Sequence, residues 1–168
     1  MTSILFRCDA SLLIGSGHVM RCRNLARELQ RRGATVTFLC LRQPGDLISL
    51  LEQEFPVLAL PEQPLAACEG LEGRELYGAW LGCSQNTDAA QCLHALAEAA
   101  GITSDSWLVV DHYGLDARWQ SQLLAGLAGA DAPPKLLVID DLADRPHQAD
   151  LLLDQNFFGE ATEQRYQG

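Results

Sequence analysis

The sequence predicts an α/β fold, a doubly wound Rossmann-like parallel sheet. Three observations carry that expectation. Short continuous apolar runs alternate with segments of helical period. Strands that are apolar throughout belong to a parallel sheet covered on both faces. Polar clusters follow the first, fourth, fifth and sixth runs, on the rim where ligands of doubly wound sheets bind. The 168 residues, 48% of them hydrophobic, suffice for one domain with a sizeable core.

The first unit reads ILFRCDASLLIGSGHVMRCRNLARELQRRG over residues 4–33. Ile4 to Cys8 is the first strand, placed centrally in the sheet, and it runs out at Asp9. A loop closes on Gly15-Ser16-Gly17-His18. Val19, Cys22, Leu25, Ala26 and Leu29 then keep helical spacing until Gly33. Glycine lets a backbone come close to a ligand, and the first N–H groups of a helix attract negative charge. A positive helix end favours neutral imidazole, which can take a proton from water. His18 is therefore the candidate general base, with Asp9 expected to orient its other nitrogen or to hold a substrate amide.

The second strand is Thr35 to Leu41. Pro44-Gly45 turns the chain, Asp46 caps a short helix over Leu47 to Glu54, and Val57 to Leu60 is the third strand. From Pro61 to Asn86 no period holds, and the segment reads as a long irregular loop with one helical turn at most. Thr87 is expected to cap a helix that ends near Ala100 and Gly101. Ser106 to Val110 is the fourth strand, leading into Asp111-His112-Tyr113-Gly114. Asp116 opens a helix through Leu127. Lys135 to Ile139 is the fifth strand, ending at Asp140-Asp141. Leu151 to Leu153 is the sixth, ending at Asp154-Gln155-Asn156. Residues 157–168 show no regular period.

Composition narrows the function. A net charge of −10 argues against general nucleic-acid binding. Seven of the twelve basic residues nevertheless fall in the first 42 positions, against Asp9 and Glu28 as acids. Arg27, Arg31 and Arg32 read as a solvated helix face. Arg7 and Arg21 flank the glycine loop and are candidates for contact with an anionic ligand. No apolar run reaches the roughly 20 residues of a membrane span. MTSILFRCD does not read as a signal peptide. The six cysteines are scattered without a CxxC pair, which suggests reduced thiols in a cytoplasmic protein.

Rival chemistries fit less well. A nicotinamide site wants a third glycine where Met20 stands and an acid after the second strand, where Arg42 stands. No lysine follows the loop as a P-loop requires. Asp140 and Asp141 are adjacent in a strand and so point to opposite faces, with no histidine at ligand spacing. One of them is expected to cap, and no metal and no cofactor are called for. His112 rivals His18 as a base but reads as support behind it. His94 and His147 lie in surface-type contexts. The Tyr113 phenol can bond a sugar hydroxyl.

In order along the chain stand R-x-D, IGSGHVMRC, DHYGLD, DDLADRPH and DLLLDQN. With these motifs the chain resembles the N-terminal half of the UDP-2,4-diacetamido-2,4,6-trideoxy-β-L-altropyranose hydrolases of pseudaminic acid biosynthesis. Related spore-coat polysaccharide proteins share the resemblance, and GT-B glycosyltransferases do so more distantly. It implies the N-terminal half of a GT-B fold, with residues 1–156 as one Rossmann-like domain. Residues 157–168 would then begin a linker toward a C-terminal nucleotide-binding domain absent from this chain. It also implies metal-free attack of water at the anomeric carbon of a nucleotide sugar. The catalytic pair would be His18 and Tyr113. Arg7, Asp9, Gly15, Ser16, Gly17, Arg21, Asp111, His112, Asp141, Gln155 and Asn156 would bind substrate. The alternatives are a glycosyltransferase, in which His18 would activate a sugar acceptor, and a non-catalytic sugar-binding module.

Overall fold

A computed structural model describes residues 2–98, 102–103, 105–128 and 133–167. Six strands form one sheet: β1 (Ser3–Cys8), β2 (Thr35–Leu41), β3 (Val57–Leu60), β4 (Trp107–Asp111), β5 (Lys135–Ile139) and β6 (Leu151–Leu153). Their order is β3-β2-β1-β4-β5-β6, and every pairing is parallel. β1 lies inside the sheet, as expected. Among the described residues five helices lie between strands, α1 (Gly17–Arg31), α2 (Ile48–Leu51), α3 (Gly73–Ala79), α4 (Gln85–Glu98) and α5 (Ala117–Leu127), and α6 (Ala161–Arg165) follows β6.

The period of two along each strand divides the core. Phe6, Cys8, Phe38, Cys40, Val109 and Ile139 meet Val19, Cys22 and Ala26 of α1 and Ile48 and Leu51 of α2. Phe6 and Phe38 stack there at 5.1 Å. On the other face Leu5, Leu39, Leu108, Val110, Leu136 and Val138 meet Cys92 and Leu96 of α4 and Trp119 and Leu123 of α5. The register of β1 on β4 pairs Cys8 with Asp111, which sets Asp9 and Asp111 at the same end of the sheet. β6 is a three-residue edge strand, short enough to be a poor template for further pairing.

The elements depart from expectation in three places. The segment over residues 61–86 contains α3. None of its residues is fully buried, so no apolar stripe marks it in the sequence. α4 begins at Gln85, two residues before Thr87, because the Ser84 hydroxyl accepts from the Thr87 N–H (3.1 Å). Its expected end at Ala100 and Gly101 lies outside the described residues. Residues 157–168 contain the short α6. Arg165 reaches Asp154 at 2.5 Å, and the Tyr166 hydroxyl donates to the Asp140 carbonyl at 2.9 Å. Asp46 does accept from the Ile48 N–H (3.1 Å), at the start of a helix one turn long. Among the described residues no helix is long and apolar enough to cross a membrane.

Candidate active site

The loop after β1 is shaped by Ser11 and Gly15. The Ser11 hydroxyl accepts from the N–H groups of Leu13 and Ile14 at 3.2 Å, and the Gly15 N–H returns to the Ser11 carbonyl at 2.9 Å. Gly15 turns the chain with φ of 76°, a conformation that costs glycine little. Gly15, Ser16 and Gly17 are exposed along this turn. α1 therefore starts on the rim, with His18 as its second residue and its side chain only 6% exposed.

His18 Nδ1 lies 2.6 Å from Oδ1 of Asp111, the last residue of β4. Arg21, one turn along α1, holds the same carboxylate through its Nε and, at 2.5 Å, through Nη2. Arg21 Nη2 also stands 3.1 Å from His18 Nδ1, but a guanidinium has only protons to offer. The carboxylate is the acceptor, so we assign the imidazole proton to Nδ1. The Nε2 lone pair has no partner among the described residues. Burial works to raise the Asp111 pKa, yet Arg21 and His18 hold it below the ordinary carboxylate range. Asp111, not Asp9, orients the ring, because strand register ends β4 directly beneath α1.

Aromatic rings surround this imidazole. Tyr113 stands edge-on to it at 4.5 Å, and Trp80 and His112 lie at 6.5 and 6.3 Å. Tyr77 contacts Trp80 and Tyr113 at 4.9 and 5.3 Å. The Tyr113 hydroxyl donates to Asp141 at 2.5 Å, and Gln155 Nε2 donates to the other Asp141 oxygen at 3.2 Å. Desolvation, and then Asp141, push the Tyr113 phenol up to about 12, so it stays a proton donor at neutral pH. Tyr77 and Trp80 come from α3 and its C-terminal end. Sequence reasoning missed them because that segment has no period; its only signal is two aromatic residues spaced one helical turn apart. Gln43 donates to the Trp80 carbonyl (3.1 Å) and helps dock this turn.

Other predicted residues are placed differently. Arg7 and Asp9 are wholly buried and present no surface on the rim. Arg7 lies inside the sheet, bonded to Asp9 at 2.5 Å and Asp88 at 2.6 Å, and Asp9 accepts from the Leu41 N–H at 2.7 Å. His112 is likewise internal: its Nδ1 accepts from the Gly114 N–H at 2.9 Å, and its Nε2 faces Asp9 at 3.4 Å. Desolvation, with Arg7 next, lowers its pKa well below the usual histidine value. Its place is behind the rim, with 2% of its surface exposed. His147 is no surface residue: its side chain is 4% exposed, between Gln120 and Asp140. Asn156 is exposed and makes a backbone bond to Asp154. Thus His18, Arg21, Asp111, Tyr113, Asp141 and Gln155 come together on one rim.

A carboxylate-oriented imidazole with a free Nε2, next to a phenol that remains protonated, can take a proton from water or from a hydroxyl group. Among the described residues, no three His, Cys, Asp or Glu side chains gather in a way that could hold a metal ion.

No protein-family model matches the chain. Among curated proteins, it is 27% identical over 165 residues to the UDP-2,4-diacetamido-2,4,6-trideoxy-beta-L-altropyranose hydrolase of Campylobacter jejuni. The alignment takes in 98% of this chain and 45% of that protein, so the chain spans about half the length of this relative. The similarity fits the resemblance to an N-terminal half that the motifs carry.

Proposed function

We propose that this chain supplies the general base of a nucleotide-sugar hydrolase. The substrate is UDP-2,4-diacetamido-2,4,6-trideoxy-β-L-altropyranose or a close analogue, and the product serves pseudaminic acid or related polysaccharide biosynthesis. The observation that carries the reading is the 2.6 Å contact between His18 Nδ1 and Asp111, which leaves Nε2 to act as base.

In this reading His18 Nε2 takes a proton from water as the oxygen attacks the anomeric carbon. The bond from that carbon to the β-phosphate oxygen breaks, and UDP leaves with the bonding electrons. UDP is a stable anion, so positioning and base assistance are the main demands. The Tyr113 ring packs against the base, and Tyr77 and Trp80 offer apolar surface to the sugar. A second domain, reached through residues 157–168, would hold the nucleotide and close the cleft against water. The similarity to a hydrolase of that name supports this reading, with the alignment confined to part of its length.

The test is UDP release from a panel of UDP-sugars by the protein that carries this chain, with and without a sugar acceptor. Release from a diacetamido-trideoxyhexose substrate without acceptor is expected. Release only with acceptor would make the protein a transferase instead.

A further inference from the structure

The DDLADRPH segment, residues 140–147, lends Asp141 to the site; the remainder forms a clamp behind it. Asp140 is buried at the end of β5 and accepts from the Ala143 N–H at 2.9 Å. Ala143 takes a left-handed φ of 53°, uncommon for a residue with a side chain, and this reverses the chain. The reversal brings Arg145, its side chain 3% exposed, beneath the turn that follows β4. Its Nη1 meets Asp140 at 2.8 Å and Asp144 at 2.9 Å. Its Nε donates to the Leu115 carbonyl at 2.9 Å, and Nη2 reaches the His112 carbonyl at 3.5 Å. Those two carbonyls bracket Tyr113 and Gly114. The guanidinium carbon lies 5.7 Å from the centre of the Tyr113 ring.

We infer that Arg145 is a positioning residue: by bridging Asp140 to the His112 and Leu115 carbonyls, it sets the turn that holds Tyr113 edge-on to His18. Its consequence for turnover rests on the hydrolase reading; its geometric claim does not. Only a planar fork of donors can serve a carboxylate and two carbonyls at once, and a lysine ammonium cannot span them. Tyr113 is thereby fixed at two points, its hydroxyl by Asp141 and its backbone turn by Arg145. The chain beyond Arg145 has its own anchors. The Ala117 N–H donates to the Pro146 carbonyl (3.0 Å), the Gln148 N–H to Gln120 Oε1 (2.6 Å), and Gln120 Nε2 to His147 Nδ1 (2.9 Å). Loss of the guanidinium therefore leaves the backbone of the Tyr113 turn to its local bonds, from the Gly114 N–H to His112 Nδ1 (2.9 Å) and from the Leu115 N–H to the His112 carbonyl (3.2 Å), with the backbone of the clamp in place.

Arg145→Met alone leaves the Asp140 carboxylate without its cation. The informative variants are therefore Arg145→Met/Asp140→Asn and Arg145→Lys. Each is compared with wild type by the nuclear Overhauser contact between the Tyr113 and His18 rings, by thermal unfolding, and by kcat and KM for UDP release. Both variants are expected to unfold cooperatively and to lose the ring contact. Their kcat should fall roughly 10²-fold, the scale of a misplacement of about 1 Å, with KM changed much less. An undiminished ring contact in either folded variant overturns the inference, whatever the turnover. If wild type releases no UDP from any nucleotide sugar, the hydrolase reading falls, and the ring contact still decides the role of Arg145.

Discussion

The Arg7 guanidinium and the Asp88 carboxylate, 81 residues apart and both wholly buried, meet through hydrogen bonds of 2.6 and 3.4 Å. Asp88 also accepts from Trp119 Nε1 at 2.8 Å, so one carboxylate ties β1 to α4 and α5. Burial opposes the charge on Arg7, but Asp88 and Asp9 outweigh it and raise the guanidinium pKa well above its ordinary value. The R-x-D motif, read from the sequence as flanking a ligand loop, is thus an interior ion-pair network.

Arg7→Met should accordingly unfold the protein more easily and not weaken a ligand. Removing one partner of a buried pair typically costs about 3–5 kcal/mol, because the remaining carboxylates keep their desolvation penalty. Urea unfolding should show a lower midpoint with an unchanged slope. An unchanged midpoint with lost affinity for a UDP-sugar would return Arg7 to the substrate.

Gly114→Ala should disturb the site from a buried position next to Tyr113. A Cβ there would clash with the Tyr77 carbonyl oxygen and stand 3.0 Å from His112 Cε1. The oxygen belongs to the backbone, so α3 or the Tyr113 turn must move. Overpacking of this kind costs about 1–3 kcal/mol. Amide exchange should quicken in α3 while the sheet stays protected. Gly78→Ala, whose Cβ would meet nothing within 4 Å, should leave α3 as protected as wild type or more so.

The contrast between these residues explains what was legible in the sequence. The strands announced themselves because both their faces are apolar, and the order of polar clusters placed the rim. His18 was legible because glycine spacing and helix period both point to it. Register was not: nothing local says that β4 ends beneath α1, so the sequence alone points to Asp9 as the orienting acid and to Asp111 as a substrate ligand. Burial of charge was not legible either, since Arg7 and Arg21 carry the same group at either side of one loop, and only the partner on α4 separates them. Tyr77 and Trp80 were missed because no residue of α3 is fully buried, so no apolar stripe marks the helix in the sequence.

His112 should make stability depend on pH. Its folded-state pKa lies well below the ordinary 6.5, so below about that pH the unfolded chain binds a proton that the folded chain does not. The stability is fully present above that pH and is lost as pH falls toward the folded value, at up to about 1.4 kcal/mol per pH unit. Urea midpoints measured between pH 7.5 and 5 should fall below about pH 6.5 in wild type. The dependence should be flatter in His112→Asn. Asp111 and Asp116, both held low by arginine, titrate beneath that window. Equal slopes in the two proteins would show that His112 is not the titrating group.

Asp111→Asn should be nearly as damaging to turnover as His18→Asn. The carboxylate accepts at 2.6 Å and so keeps the imidazole proton on Nδ1. Arg21 donates to both oxygens of this group, through Nε to Oδ2 and through Nη2 to the Oδ1 that His18 uses. An asparagine has a single acceptor oxygen for these donors; with that oxygen kept on Arg21 Nε, its NH2 faces His18. Nδ1 then becomes the acceptor, the proton moves to Nε2, and the base is lost without any change of shape. Loss of general-base assistance costs on the order of 10²–10⁴ in rate, and each single variant should fall in that range. Because the two side chains act as one unit, the double variant should be little worse than either single variant. Imidazole 15N shifts check the cause without substrate: the proton should sit on Nδ1 in wild type and on Nε2 in Asp111→Asn. A wild-type proton on Nε2, or losses that multiply in the double variant, would mean that Asp111 does not act through His18.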